Sequence, residues 1–163
     1  MNDIQINMME EENTQEGRYL IFSIDNESYG IEIRYVTEII GIQTITEVPE
    51  LPEYVKGIIN LRGKIIPVID VRLRFRKAAG EYNDRTCIIV VDILGMSVGL
   101  IVDSVSEVVT INASDISELP QMKQVNHNHY VKNIGKIGND VRLLLDCEKL
   151  LNDEDIDNLH EIL

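Results

Sequence analysis

The sequence predicts a mainly β protein built from two similar units by internal duplication, with short helices and a C-terminal helix. Three observations carry that expectation. Hydrophobic residues make up 44% of the chain, yet there is no Trp and there are only two Phe, so a core must be built of Ile, Val and Leu. Branched aliphatic side chains suit a pleated, half-buried surface better than a helix. The apolar residues also come in short runs broken by turn residues, and one part of the chain repeats another.

The strand-like runs are Tyr19 to Asp25, Ser28 to Ile33, Gly57 to Leu61, Lys64 to Val71, Thr86 to Leu94 and Met96 to Asp103. Short runs at this spacing predict antiparallel sheets or barrels. Asp25-Asn26, Arg62-Gly63 and Leu94-Gly95 supply the tight turns between them. Residues 1 to 16 carry five acidic groups and no Lys or Arg, which predicts a disordered acidic tail ahead of one domain over residues 17 to 163. Helical spacing is found from Arg34 to Ile40 and at the end of the chain. There Asn152 or Asp153 can cap, and Ile156, Leu159 and Leu163 form a stripe.

Sliding the sequence along itself exposes the duplication. Ser28-Tyr29-Gly30-Ile31-Glu32-Ile33 matches Ser97-Val98-Gly99-Leu100-Ile101-Val102, and Val36-Thr37-Glu38-Ile39-Ile40 matches Val105-Ser106-Glu107-Val108-Val109, at an offset of 69. Tyr54-Val55-Lys56 then matches Tyr130-Val131-Lys132 at an offset of 76, and the match reaches Asp70 and Asp146. Each copy is too small to stand alone, so the two should share one hydrophobic seam.

The formal charge of −13 repels phosphate backbones and anionic lipid heads over a Debye length of about 8 Å. Neither nucleic acid nor a membrane surface is an expected partner. No apolar run reaches the roughly 18 to 20 residues that span a bilayer, and the first residues lack the pattern of a signal peptide, so a cytoplasmic location is expected. Cys87 and Cys147 lie in apolar runs away from other metal-ligating residues and read as buried, inert thiols. His127 and His129 read as loop residues, because a metal would need a third ligand.

No nucleophile elbow, phosphate loop or dinucleotide fingerprint occurs, so neither a cofactor, a metal nor an enzyme is expected. Asp25, Asp70, Asp92 and Asp103 each close an apolar run, where a carboxylate accepts from turn amides. The unusual segment is Pro49 to Arg72. Two prolines fix an extended lead-in, Gly57 allows close backbone approach, and Arg62 stands at a hairpin tip between two apolar strands.

Gly57-Ile58-Ile59-Asn60-Leu61-Arg62-Gly63 followed by Pro67-Val68-Ile69-Asp70, with Tyr29 to Ile40 before it, closely resembles the CheW-like domain family of chemotaxis coupling proteins. The resemblance extends over about residues 18 to 160. It implies two intertwined five-stranded SH3/OB-like barrels that exchange segments, and a scaffold in place of a catalyst. It further implies two partners: the hairpin tip of methyl-accepting chemotaxis receptors and the regulatory domain of the histidine kinase CheA. A protein with those partners would be recruited to receptor arrays at the inner face of the membrane.

Carried over by motif, Val36, Glu38 and Arg62 would face the receptor, with Cys87 and Ile88 on the adjoining strand. Ile42, Ile45, Gln121 and Met122 would face the kinase. Gly57 and Gly99 would keep the backbone compact. A CheW-domain scaffold serving another receptor-kinase pathway, in motility or development, is the alternative that the resemblance leaves open.

Overall fold

The structure is a computed structural model that describes residues 15–119, 130–151 and 153–162. The expected tail therefore falls almost wholly outside the described residues, as do His127, His129, Asn152 and Leu163. The described residues form eleven strands: β1 (Arg18–Ile24), β2 (Glu27–Glu32), β3 (Val36–Gly41), β4 (Val55–Leu61), β5 (Lys64–Asp70), β6 (Cys87–Ile93), β7 (Met96–Val102), β8 (Ser104–Thr110), β9 (Ile116–Ser117), β10 (Val131–Ile137) and β11 (Asp140–Leu145). The described residues also include two α-helices, α1 (Val71–Arg74) and α2 (Asp153–Ile162), and short 3-10 turns at Ile33–Tyr35, Ala113–Asp115 and Cys147–Leu150.

The strands form a six-stranded sheet in the order β8-β1-β2-β11-β10-β9 and a five-stranded sheet in the order β3-β6-β7-β5-β4. Each sheet thus takes strands from both halves of the chain. β1 to β5 of the first half correspond to β6, β7, β8, β10 and β11 of the second, and the correspondence holds residue by residue. Gly30 lies opposite Leu144 in the parallel β2/β11 pair, and Gly99 lies opposite Val68 in the parallel β7/β5 pair. The bulge between Val55 and Gly57 on β4 has its counterpart between Val131 and Asn133 on β10, so Lys56 and Lys132 are both skipped by the ladder. Asp70 N donates to Tyr54 O at 2.8 Å, and Asp146 N donates to Tyr130 O at 2.8 Å. The sixth strand, β9, is matched in the other sheet by a single bridge between Thr46 and Ile58.

Core position explains the apolar runs. Ile89, Val91, Ile93, Val98, Leu100 and Val102 join residues of β1 and β2 in one cluster. Ile88, Val90 and Ile101 face the other way, onto Ile59, Ile66 and Val68. Because β6 and β7 are buried on both faces, they read as near-continuous hydrophobic sequence and lack polar alternation. At the C-terminus α2 buries Leu159 on the first cluster, with Ile156 packed beside it.

Two expectations are corrected. Arg34 to Ile40 is not a helix: only Ile33–Tyr35 makes a 3-10 turn, and Val36–Gly41 is strand β3, antiparallel to β6. The β-branched Val36, Thr37, Ile39 and Ile40 favour the strand, and the backbone of β6 completes it. Cys87 is half-buried, since it sits at the start of β6 where the core thins out, whereas Cys147 is buried. Both are free thiols, and burial pushes Cys147 up to about 12.

Candidate functional site

β4 and β5 run antiparallel and close on a two-residue turn flanked by Leu61 and Lys64. Arg62 and Gly63 hold φ values of 51° and 86°, the two positive angles that a type I′ turn demands. The turn is held from inside by Asn60, whose Oδ1 accepts from Gly63 N at 2.8 Å. The β6–β7 hairpin repeats the device, with Asp92 Oδ1 accepting from Gly95 N at 2.9 Å. The equivalent of Arg62 in the second copy is Gly138, also at positive φ. A left-handed position disfavours a residue with a Cβ by about 1 kcal/mol, so folding alone would favour glycine at Arg62.

Arg62 reaches across to β3, where its Nη2 donates to Glu38 Oε2. Glu38 is presented there by a bulge: the ladder to β6 skips from Val36 to Glu38, while the Thr37 hydroxyl donates to Val90 O at 3.0 Å. Arg62 keeps 70% of its side-chain surface in solvent and Glu38 keeps 32%, so the pair is a surface feature open to a partner. Ile39, next to Glu38, and Ile65, next to the hairpin tip, are large apolar side chains exposed by 43% and 42%. Neither isoleucine was singled out by the sequence, in which Arg34 to Ile40 reads as helical and Ile65 as one more apolar residue of a strand. The duplicate of β3, Val105 to Val109, has the same apolar spacing, so the signal that could have found Ile39 is the β-branched content of Val36, Thr37, Ile39 and Ile40.

The other expected residues are distributed unevenly. Val36 is half-buried against the first cluster, and Cys87 lies opposite Gly41 with its thiol donating to Arg85 O at 3.3 Å. Ile88 is 0% exposed in the second cluster, so a direct receptor contact through it is ruled out. Ile42 and Ile45 pack half-buried on that same cluster, which gives their apolar character a reason inside the fold. Gln121 and Met122 lie outside the described residues.

At Gly57 and Gly99 neighbouring atoms come close to the backbone. A Cβ at Gly57 would lie 2.0 Å from Thr46 O, and φ there is +145°. A Cβ at Gly99 would meet Val68 Cγ1 and Ile88 Cγ2 at 2.7 Å each.

Elsewhere polar groups serve structure. Arg72 grips Asp103 with two hydrogen bonds of 2.7 Å, and the second oxygen of Asp103 also accepts from Asp25 N. Burial opposes ionisation of Asp103, but these donors outweigh it and hold the carboxyl below its usual range. Asp70 accepts from Leu73 N and the Tyr82 hydroxyl. A cleft of about 300 Å³ is lined by Tyr29, Phe75, Tyr130, Glu27 and Lys77, and its two charges face each other at 3.9 Å. Among the described residues no three His, Cys, Asp or Glu side chains converge to hold a metal, and no helix is long and apolar enough to cross a membrane.

This double sheet with exchanged strands has clear counterparts among known proteins. Residues 18–155 match the CheW-like domain. The chemotaxis protein CheW of Klebsiella aerogenes is 37% identical over 138 residues, 85% of this chain and 83% of its own. CheW of Bacillus subtilis is 33% identical, over 84% of this chain and 88% of its own. The crystal structure of the scaffolding protein TtCheW from Thermoanaerobacter tengcongensis superposes with a TM-score of 0.78 at 37% identity, covering 85% of this chain and 94% of that one. With family match, relatives and fold in agreement over the segment that carries Glu38 and Arg62, the chain belongs to the CheW-like domain family.

Proposed function

We propose that this chain is a non-catalytic chemotaxis adaptor that couples methyl-accepting receptors to the histidine kinase CheA. The observation that carries the reading is Arg62, held at a left-handed turn position and directed onto Glu38 where the duplicate copy has glycine. A guanidinium held against local backbone preference and open to solvent suits a small protein interface, and Ile39 and Ile65 are exposed apolar residues on the neighbouring strands. The receptor-facing surface in this reading comprises Val36, Glu38, Ile39, Arg62 and Ile65, with Cys87 at its margin. The kinase-facing surface draws on the exposed parts of Ile42 and Ile45, and on Gln121 and Met122. Residues 17 to 163 act as one domain, residues 1 to 16 are dispensable, and the protein works in the cytoplasm at receptor arrays.

Reconstitution tests this directly. Receptor-containing membranes, CheA and the purified chain are combined, and kinase autophosphorylation is followed with and without attractant. Receptor-dependent activation that requires the chain is expected. Activation that is equal without it would sink the adaptor reading, and capture of a different receptor-kinase pair would reassign it to another pathway.

A further inference from the structure

The duplication extends one turn beyond Asp70 and Asp146. Asp70 caps α1 over Val71–Arg74, and Asp146 caps a 3-10 helix over Cys147–Leu150, 76 positions on. Arg74 and Leu150 are therefore the same position in the two copies, and they touch: Arg74 Nε donates to Leu150 O at 2.6 Å. The Arg74 guanidinium carbon lies 4.3 Å from the ring centroid of Tyr54 and 4.9 Å from that of Tyr130, the tyrosines that precede β4 and β10. A side chain that meets its own duplicate and both members of a second duplicated pair lies on the axis relating the copies. Only one long side chain fits on such an axis, which accounts for arginine in one copy and leucine in the other. Phe75 continues the contact, stacked on Tyr130 at 5.4 Å and tilted against Tyr29 at 5.3 Å.

We propose that Arg74 is a positioning residue that fixes the angle between the two barrels. The rest of the seam is mainly the apolar packing of the first core cluster, which holds surfaces together without a preferred direction, with the Arg72–Asp103 pair and its bond from Asp25 N as a second polar tie. Arg74 adds direction, because a planar guanidinium with rings beside it and an N–H on a fixed carbonyl tolerates little rotation of one barrel against the other. Arg74 sits between the barrel that carries Glu38 and Arg62 and the one built on β1 and β2. Its consequence for signalling, which rests on the adaptor reading, is that it sets how two partner surfaces are presented together.

Residual dipolar couplings of the full chain test the proposal, with amides of β1 and β2 reporting one barrel and amides of β6 and β7 the other. In the wild type, and in Tyr54→Phe, which keeps the ring, one alignment frame should fit both sets. In Arg74→Ala and in Arg74→Leu, which installs the duplicate's residue, each barrel should still fit its own frame while the common frame fails. A common frame that survives both substitutions overturns the proposal. Loss of the folded state in both also overturns it, since Arg74 would then be a core stabiliser. Neither result depends on coupling activity, so failure of the adaptor role is read separately, from a wild-type chain that does not couple receptor to kinase.

Discussion

Glu38 on β3 accepts a hydrogen bond from Arg62 at the tip of the β4–β5 hairpin, although 24 residues separate them in the chain. Arg62 is mostly exposed, and surface pairs of this kind contribute at most about 1 kcal/mol to stability. Arg62→Ala and Glu38→Ala should therefore leave the melting temperature within a few degrees of the parent. Receptor control of the kinase should nonetheless fall sharply, because aligned charges set the register of a small interface. Calorimetry beside the reconstituted kinase assay separates the two effects, and a variant that melts early or couples normally would count against the site.

Gly57 and Gly63 offer a matched comparison, since both have positive φ but only one is crowded. At Gly57 a Cβ would meet Thr46 O at 2.0 Å, in the bridge where Thr46 and Ile58 exchange backbone hydrogen bonds. At Gly63 nothing lies within 4 Å. Gly63→Ala should cost about 1 kcal/mol, from the backbone preference alone. Gly57→Ala should cost about 2–4 kcal/mol, because the bridge must also break. Urea unfolding of both variants checks the ratio, and equal losses would mean that the Thr46 backbone yields easily.

Much of this architecture was legible because duplication leaves a signature that composition cannot hide. The Tyr-Val-Lys and Ser-x-Gly matches anticipated equivalent strands, and Asp70 and Asp146 were aligned before their shared role as helix caps was visible. Turn chemistry placed Arg62 and Gly63 correctly for a similar reason, since positive φ is a local demand. What failed depended on neighbours distant in sequence. β3 was misread because Val36, Ile39 and Ile40 satisfy a helical period until β6 supplies a ladder. Ile88 alternates with its neighbours in a strand buried on both faces, so its side of the sheet could not be read from its own segment.

Ile42 and Ile45 carry a sharper expectation once their packing is known. Both lean on the cluster of Ile59, Ile66, Val68, Ile88, Val90 and Ile101, which is the smaller core of the molecule. An aspartate there loses apolar burial and places a charge at the mouth of the barrel, at a cost of about 2–4 kcal/mol. Ile45→Asp should then lower stability along with kinase binding, whereas Ile45→Val should preserve stability to within about 1 kcal/mol. Denaturation curves on both, read before any binding measurement, decide the matter. An Ile45→Asp variant as stable as the parent would return this residue to the class of free interface anchors.

Asp103 provides the pH-dependent case. It lies between β7 and β8, receives both arms of Arg72 from α1, and accepts from Asp25 N in the β1–β2 turn, so one carboxylate ties together three places distant in sequence. Its pKa is depressed in the folded state, so it takes up a proton more readily when unfolded. The sign follows from linkage: this stabilisation is fully present above the unfolded value of about 3.9 and disappears as pH falls through the lower folded value. Asp103→Asn removes the charge and one of the two good acceptors for Arg72, and should cost about 1–3 kcal/mol at pH 7. The gap between parent and variant should narrow steadily as the pH is lowered through the carboxylate range, because the parent is losing the same charge. Paired urea titrations at pH 7 and at a few acid steps measure that gap. A difference that stays constant over the range would show that Asp103 acts through its shape and hydrogen bonds, and that its ionisation contributes nothing.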